Sequence, residues 1–481
     1  MDFVTPPWDH QRSAVTKSFQ LRDMALLWEM GTGKTKATID ILRGRYAIYG
    51  RLLRTLILAP PVVLKNWSRE FSVHSRIPNH HTVILRGSGA KRLNQLKAAV
   101  TGEHHYDKSV IILTNYEALE NKDLMQILKL WKPEILVADE SQRCKNFKSK
   151  RANKVAELSE STLHNYILTG TPILNSSMDL YMQYRILDRG ETFGKNFYAF
   201  RGLYFEDKNF GMPSHLHFPK WEPRPFAYQD FQNKIYQKGL RATKDECLDL
   251  PPLLRTIREV EMNDEQKRMY KEMRDEFLTF IKSEENYQKP RAVVAQLAVT
   301  KALRLQQIVS GFAKDEHGQA HTIKDSPRLR VLGDLLEEIT GDGHKVIVWA
   351  VFKENYRSIR ELCTTLQIGF SEVHGDISTI EKEKSILRFE KDPECKVMIA
   401  NQAAGGIGVN MVAASYAIYY SKNFSYGDDA QSESRNHRGG SERHEKITRI
   451  DLVCPGTIDE LVLEALRLKK NIGDIILDWK I

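Results

Sequence analysis

Cysteine is scarce in this chain: five among 481 residues, at Cys144, Cys247, Cys363, Cys395 and Cys454. They are scattered singly, with no CxxC pair, so neither a zinc ribbon nor a disulfide framework is expected. Long apolar runs are missing too. No stretch approaches the ~18–20 residues that a membrane-spanning helix needs. The opening MDFVTPPWDH lacks the basic-then-apolar order of a secretory signal, so secretion is not expected. Nor is there a large excess of one charge. Lysine plus arginine number 71 against 62 acidic residues, a net charge of +9. That balance is compatible with a polyanionic partner, although many proteins with it bind none. The paired histidines His80–His81 and His104–His105 lie in polar stretches and read as solvated surface. What remains is globular: 41% hydrophobic and 28% charged residues. At about 150 residues per domain the length implies two or three domains.

Residues 25–35 read ALLWEMGTGKT. Met24–Trp28 has the length and apolarity of a buried strand. Gly31, Thr32 and Gly33 follow, and Lys34–Leu42 has a helical pattern. Strand, glycine turn and helix make the context of a phosphate-binding loop. Glycines let backbone N–H groups turn toward phosphates, and the helix start adds partial positive charge. Lys34 is then expected at the β- and γ-phosphates and Thr35 on Mg²⁺. The general pattern wants a further glycine where this chain has Trp28. The bland alternative is a glycine turn before a helix.

Residues 133–142 read PEILVADESQ. Ile135–Ala138 is a second buried-strand run, ending in Asp139 and Glu140. Open α/β sheets place their chemistry at such carboxyl ends. Asp139 is expected in the Mg²⁺ shell, and Glu140 as the group that orients and deprotonates water. Further strands are expected at Leu53–Ala59, Val110–Thr114 and Tyr166–Thr169, separated by helical patterns.

The pattern recurs late in the chain. Ser326-Pro327 is expected to start a helix with Leu329, Leu332, Leu336 and Ile339 on one face. Strands are expected at Lys345–Ala350, Lys396–Ala400, Tyr416–Tyr420 and Thr448–Val453. Thr457 and Glu460 read as a capping box for the last amphipathic helix. The fold class is therefore α/β, with two parallel-sheet lobes in tandem and helical insertions. The expected boundaries are a first lobe over 1–195, linker and helical protrusions over 196–325, and a second lobe over 326–481. Only the first lobe has a phosphate loop. In QSESRNHRGG, residues 431–440, Arg435 and Arg438 are three apart and expected on one helix face. If the lobes close over one nucleotide, such arginines can reach its γ-phosphate; otherwise they are a solvated cation pair.

The ordered set resembles a superfamily two helicase, and within it the Swi/Snf-type double-stranded DNA translocases, whose lobes are RecA-like. HQRSAV (10–15) resembles the adenine-recognising glutamine motif, with Gln11 in the key position. EMGTGKT (29–35) matches motif I, where the family also dispenses with the far glycine. LILAPPVVLKNWSREF (56–71) and LTNYEAL (113–119) are similar to motifs Ia and Ib. DESQRCKN (139–146) resembles the DEAH box and LTGTPILNS (168–176) motif III. LRATKDECLDLPP (240–252) resembles the crossing between lobes. VHGDIS (373–378) and NQAAGGIGVNMVAAS (401–415) resemble motifs IVa and V, and QSESRNHRGG motif VI.

The resemblance implies an ATP-hydrolysing motor on duplex DNA that uses ATP and Mg²⁺. It implies sugar-phosphate contacts from Lys65, Asn66, Asn115, Tyr116, His374, Gly375, Gly405, Gly406 and Asn410. It implies coupling roles for Gln142, Thr169, Gly170, Thr171 and Gln431. Gln142 stands where the family has histidine, and Ser434 where motif VI has aspartate. The short length resembles a bare bacterial or phage motor, acting as a monomer in the cytoplasm, on the nucleoid or in a host cell, with a protein partner for targeting. Trp67 and Trp349 are expected to pack inside rather than stack on bases. Rival readings are a strand-separating or branch-migrating helicase on DNA or RNA, and an ATP-gated nucleic-acid clamp with weak turnover. A small-molecule kinase would not need a second lobe.

Overall fold

The computed structural model describes residues 3–61, 63–78, 80–101, 109–170, 177–211, 219–286, 291–315, 317–405 and 410–468. The chain divides into two compact units. One comprises Met1–Glu206 with Trp221–Asp249; the other comprises Asp207–Lys220 with Leu250–Ile481.

The first unit is built on a seven-stranded sheet. Its strands are β1 (Met24–Trp28), β2 (Thr55–Leu58), β3 (His80–Ile84), β4 (Ser109–Thr114), β5 (Ile135–Asp139), β6 (His164–Leu168) and Gly239–Ala242. The order is β3-β4-β2-β5-β6-β1 and then Gly239–Ala242, with every pair parallel. β1, β2, β5 and β6 are buried along their whole length. Helices cover both faces of a parallel sheet, which is why β1, β2 and β5 are apolar along most of their length; β6 is apolar only from Tyr166, its His164 and Asn165 being buried polar residues. The helices that matter for the site are α1 (Asp9–Gln20), α2 (Lys34–Tyr49) and α3 (Val63–His74). Arg45 of α2 donates to the Tyr166 hydroxyl of β6 (3.0 Å) and to the carbonyls of Ser18 and Leu21, which fastens α1 and α2 to the sheet.

The second unit has a six-stranded sheet, also all parallel. Its order is Leu253–Glu259, Ile447–Val453, Tyr416–Tyr419, Val346–Trp349, Cys395–Ala400, Gly369–Val373. A helical pair, Asp264–Asn286 and Arg291–Val309, packs through Tyr270, Leu305 and Ile308 onto the helix Ile458–Leu468 of the same unit. The helix Pro327–Gly341 starts at the expected proline and buries Leu332, Leu336 and Ile339.

Several local expectations are corrected. His80–His81 belongs to β3, an edge strand too polar to show an apolar run, with His81 exposed as expected and His80 half-buried. His104–His105 lies outside the described residues. The stretch 196–325 is more than linker and protrusions, because Gly239–Ala242 and Leu253–Glu259 add an edge strand to each sheet. Thr457 and Glu460 form no capping box. The Thr457 hydroxyl donates to the Cys454 carbonyl (2.7 Å) and accepts from Asp459 N–H (3.3 Å). The five cysteines are free thiols. Among the described residues no helix is long and apolar enough to cross a membrane.

Candidate nucleotide site at the carboxyl edge of the first sheet

β5, β6 and β1 are neighbours in the sheet and parallel, so the loops that leave them emerge side by side. The loop after β1 holds Gly31 (φ 87°) and Gly33 (φ 77°), both in the left-handed region that glycine enters without steric cost. α2 begins at Lys34, so its unpaired N–H groups and dipole lie at this turn. Thr32 is buried, and its hydroxyl closes the loop by donating to the Glu29 carbonyl (2.7 Å). Lys34 Nζ donates to the carbonyls of Trp28 (2.9 Å) and Glu29 (3.1 Å). Thr35 follows on the first turn of α2, half-buried.

Gln11 lies on this loop. Its Oε1 accepts from Trp8 N–H (3.0 Å), and its Nε2 stands 3.4 Å from the carbonyls of Thr32 and Gly33. A Cβ at Gly33 would come within 2.1 Å of that Nε2 and displace it, and the φ of 77° there favours glycine.

The acidic pair ends β5. Asp139 Oδ1 accepts from Glu140 N–H (3.0 Å), and Oδ2 accepts from Trp67 Nε1–H (2.9 Å). The Asp139 carbonyl accepts from the Tyr116 hydroxyl (2.7 Å). Burial, then the neighbouring Glu140 carboxylate, pushes the Asp139 carboxyl up to about 7; the Trp67 hydrogen bond and the Lys34 charge pull the other way. Glu140 adopts φ 54°, uncommon for a residue with a side chain and frequent at functional turns.

The loop after β6 joins them. Thr169 Oγ1 donates to Gln142 Oε1 (2.8 Å), and Gln142 Nε2 donates to Glu140 Oε2 (2.6 Å). Thr169 N–H donates to the Leu26 carbonyl of β1 (3.1 Å). A Cβ on Gly170 would stand 2.7 Å from Met30 Cγ, so this loop presses against the one after β1.

The residues present fit Mg²⁺. Asp139 is a buried carboxylate short of positive charge, and Thr35 offers a hydroxyl beside the phosphate loop. No cluster of three His, Cys, Asp or Glu that could cage a metal occurs among the described residues. Mg²⁺ is commonly held by one or two carboxylates plus substrate phosphates and water.

Other expected site residues fall elsewhere. Tyr116 and Asn115 are buried: the tyrosine supports Asp139 from below, and Asn115 Nδ2 donates to Glu117 (2.7 Å). Neither side chain is presented to a duplex. Lys65 is exposed and Asn66 half-exposed, both on α3. In the second unit His374 is buried and stacked on Tyr356 (centroids 4.5 Å apart), whereas Gly375 is exposed. Gly405 ends a short helix, Asn410 is exposed and Gln431 is half-buried. Gly406 and Thr171 lie outside the described residues.

Arg435 and Arg438 do not share a helix face. The helix Tyr426–Glu433 ends before them, with Ser434 N–H on the Ala430 carbonyl, and both arginines sit in the turns that follow. The cause is local. The turn continues into Gly439-Gly440, and Gly440 (φ 103°) lies against Val412. Arg435 is held by backbone hydrogen bonds to Ser432 (3.1 Å) and from Met411 (3.0 Å). The helix itself is clamped to the sheet by Arg449, which pairs with Asp429 (2.9 Å), Glu433 (2.9 Å) and Asp451 (3.2 Å) over the Tyr419 ring. Trp67 and Trp349 pack inside, as expected, but the Trp67 hydrogen bond to Asp139 and the ion pairs of Arg449 could not be read from the sequence. Each joins partners that only the fold brings near.

Known proteins share this chain's organisation. The family described as SNF2-related domain matches residues 10–310, and that described as helicase conserved C-terminal domain matches residues 328–440. The CHD3-type chromatin-remodeling factor PICKLE of Arabidopsis thaliana is 25% identical over 482 residues, covering 93% of this chain and 32% of the relative. The TATA-binding protein-associated factor MOT1 of Saccharomyces cerevisiae is 24% identical over 519 residues, covering 94% of this chain and 26% of the relative. The chain thus spans about a third or less of the length of these relatives. Among solved structures, the Sulfolobus solfataricus SWI2/SNF2 ATPase core in complex with dsDNA is 23% identical, with a TM-score of 0.44, covering 99% of this chain and 94% of that one.

Proposed function

The chain belongs to the SNF2-related family, and on that premise we propose that it is an ATP-driven motor that tracks along double-stranded DNA and remodels DNA or protein–DNA complexes. The observation that carries this reading is the three-loop edge of the first sheet, where Lys34, the Asp139–Glu140 pair and the Thr169–Gln142 link meet. The names of two relatives, a chromatin-remodeling factor and a TATA-binding protein-associated factor, support a substrate made of DNA and bound protein.

In this reading Gln11 meets the adenine edge. Lys34 exchanges the carbonyls of Trp28 and Glu29 for β- and γ-phosphate oxygens. Thr35 and Asp139 hold Mg²⁺, which neutralises charge on those phosphates. Glu140 takes the proton of the attacking water. Gln142 occupies Glu140 Oε2 and so leaves Oε1 for that task. Arg435 and Arg438 supply positive charge to the γ-phosphate when the two units close, which would make hydrolysis depend on DNA holding them in register. Lys65, Asn66, Gly375 and Asn410 meet sugar-phosphate, contacts that position a duplex without reading its sequence. The motor works as a monomer on the nucleoid or in the cytoplasm, with targeting left to a protein partner.

Steady-state ATP hydrolysis measured with no nucleic acid, duplex DNA, single-stranded DNA and RNA tests this, with Glu140→Gln as the inactive control. Stimulation by duplex DNA supports the translocase. Stimulation only by single strands or RNA moves the reading to a strand-separating helicase. Tight ATP binding with little turnover would mean a clamp.

A further inference from the structure

Trp67 has no part in the chemistry above, yet it touches the carboxylate that the chemistry depends on. Its indole is fully buried, and its one polar atom, Nε1, donates to Asp139 Oδ2 at 2.9 Å. A buried tryptophan N–H seeks an acceptor. A surplus backbone carbonyl would serve that need. Here the acceptor is the side chain of Asp139.

Trp67 rides on α3. That helix buries Val63, Leu64, Trp67 and Phe71 on its inner face and exposes Lys65 and Arg69 on the outer one, with Asn66 half-exposed between them. Asn66 Oδ1 accepts from Arg69 (2.8 Å), which arranges the outer row. A tie between Thr5 and His74 (2.7 Å) fixes the far end of the helix. The Asp139 carboxylate is held by two donors of different origin. Glu140 N–H belongs to its own loop, and Trp67 belongs to the helix with the exposed cations. One helix therefore carries a row with two exposed cations on one side and, on the other, a donor to the Asp139 carboxylate.

We propose that Trp67 is a positioning residue that couples α3 to the nucleotide site: engagement of DNA phosphates by the outer face of α3 is relayed through the Trp67–Asp139 hydrogen bond and sets the orientation of that carboxylate. A shift of α3 of a fraction of an ångström reaches Asp139 because an indole between a helix and a strand end has no slack in a close-packed interior. The proposal rests on the DNA-dependent ATPase reading.

The test uses the full chain and Trp67→Phe, which keeps an aromatic ring and removes the donor. The indole ¹⁵N–¹H resonance of Trp67, assigned by its loss in Trp67→Phe, is followed as duplex DNA is added without nucleotide. It is expected to move, and in Lys65→Ala/Arg69→Ala it is expected to move less. Trp67→Phe is also expected to raise the Mg²⁺ concentration for half-maximal hydrolysis by about 10–100-fold, the usual cost of removing a partner that orients a metal ligand, and to reduce the ratio of DNA-stimulated to basal turnover. A merely structural tryptophan would lower stability and leave the Mg²⁺ requirement alone. If the wild type is stimulated by duplex DNA, but the resonance stays still and Trp67→Phe needs no more Mg²⁺, this proposal fails and the motor reading stands. If the wild type shows no stimulation by DNA, both fall.

Discussion

Gln142 donates from Nε2 to Glu140 Oε2 at 2.6 Å, while its Oε1 accepts from Thr169 Oγ1 at 2.8 Å. An amide cannot change charge near neutral pH, so the Gln142 end of this link does not titrate there, unlike the histidine usual in the family. Losing a hydrogen bond to a charged group costs about 1.5–3 kcal/mol, or roughly ten- to a hundredfold in rate. Gln142→Ala is expected to lower kcat by that factor with ATP affinity kept. Thr169→Val is expected to show part of the same loss, and the double variant to cost less than the sum. Additive effects in the double-mutant cycle would mean that the two residues act separately.

The phosphate loop is expected to be intolerant at two positions for different reasons. Lys34→Ala removes the cation proposed to meet the phosphates, and titration with a fluorescent ATP analogue should find no binding. Near-normal affinity would refute the cradle. Gly33→Ala places a Cβ at φ 77° and 2.1 Å from Gln11 Nε2. It should weaken ATP binding even with Lys34 intact.

Arg435→Ala is expected to leave ATP binding intact and slow hydrolysis by about 10³–10⁵, the span attributed to arginine fingers. An unchanged kcat in single-turnover assays would assign this arginine a structural role.

Arg449 is the hub of the buried charges in the second unit. Burial alone would raise the Glu433 pKa, but the Arg255 hydrogen bond and the Arg449 charge overcome it and bring it down to about 2. Arg449→Met would leave buried Asp429 and Asp451 and half-buried Glu433 with one cation fewer. Breaking a buried pair in this way costs roughly 3–5 kcal/mol. Urea unfolding followed by circular dichroism is expected to show that loss, and a change below about 1 kcal/mol would contradict a hub role.

His164 provides a pH signature. Its ring is buried, with Nδ1–H donating to the Arg22 carbonyl (2.7 Å) and Nε2 accepting from the Tyr49 hydroxyl (3.1 Å). Burial lowers its pKa from 6.5 to about 4. The unfolded chain therefore takes up a proton below pH 6.5 that the native chain refuses until about pH 4. Stability is expected to fall as pH drops through that window, by at most ~1.4 kcal/mol per pH unit from this group. In His164→Gln, urea midpoints between pH 7 and 4.5 should depend less steeply on pH.

Much of the fold was legible because parallel strands buried on both faces are mostly apolar. β1, β2 and β5 show such a run, and Val346–Trp349 and Val397–Ala400 do likewise, whereas β6 opens with the buried polar pair His164 and Asn165 and was legible only from Tyr166. Edge strands escape this rule. β3 begins with two histidines, and Leu253–Glu259 exposes most of its side chains, so each is a strand only because a neighbour pairs with it.

The site divides along the same line. Gly31-Thr32-Gly33-Lys34-Thr35 and Asp139-Glu140 are local: turn conformation, helix start and strand end lie within a few residues, so they can be read along the chain. Contacts across the sheet edge are not local. That Tyr116 would stand beneath Asp139 instead of facing a duplex, that Trp67 would donate to that same aspartate, and that Gln142 would bridge Glu140 to Thr169 depended on strand order. Only the tertiary structure decided these, because a hydrogen bond depends on the position of an atom to within a few tenths of an ångström, and residue spacing along a chain carries no such coordinate for partners on different strands.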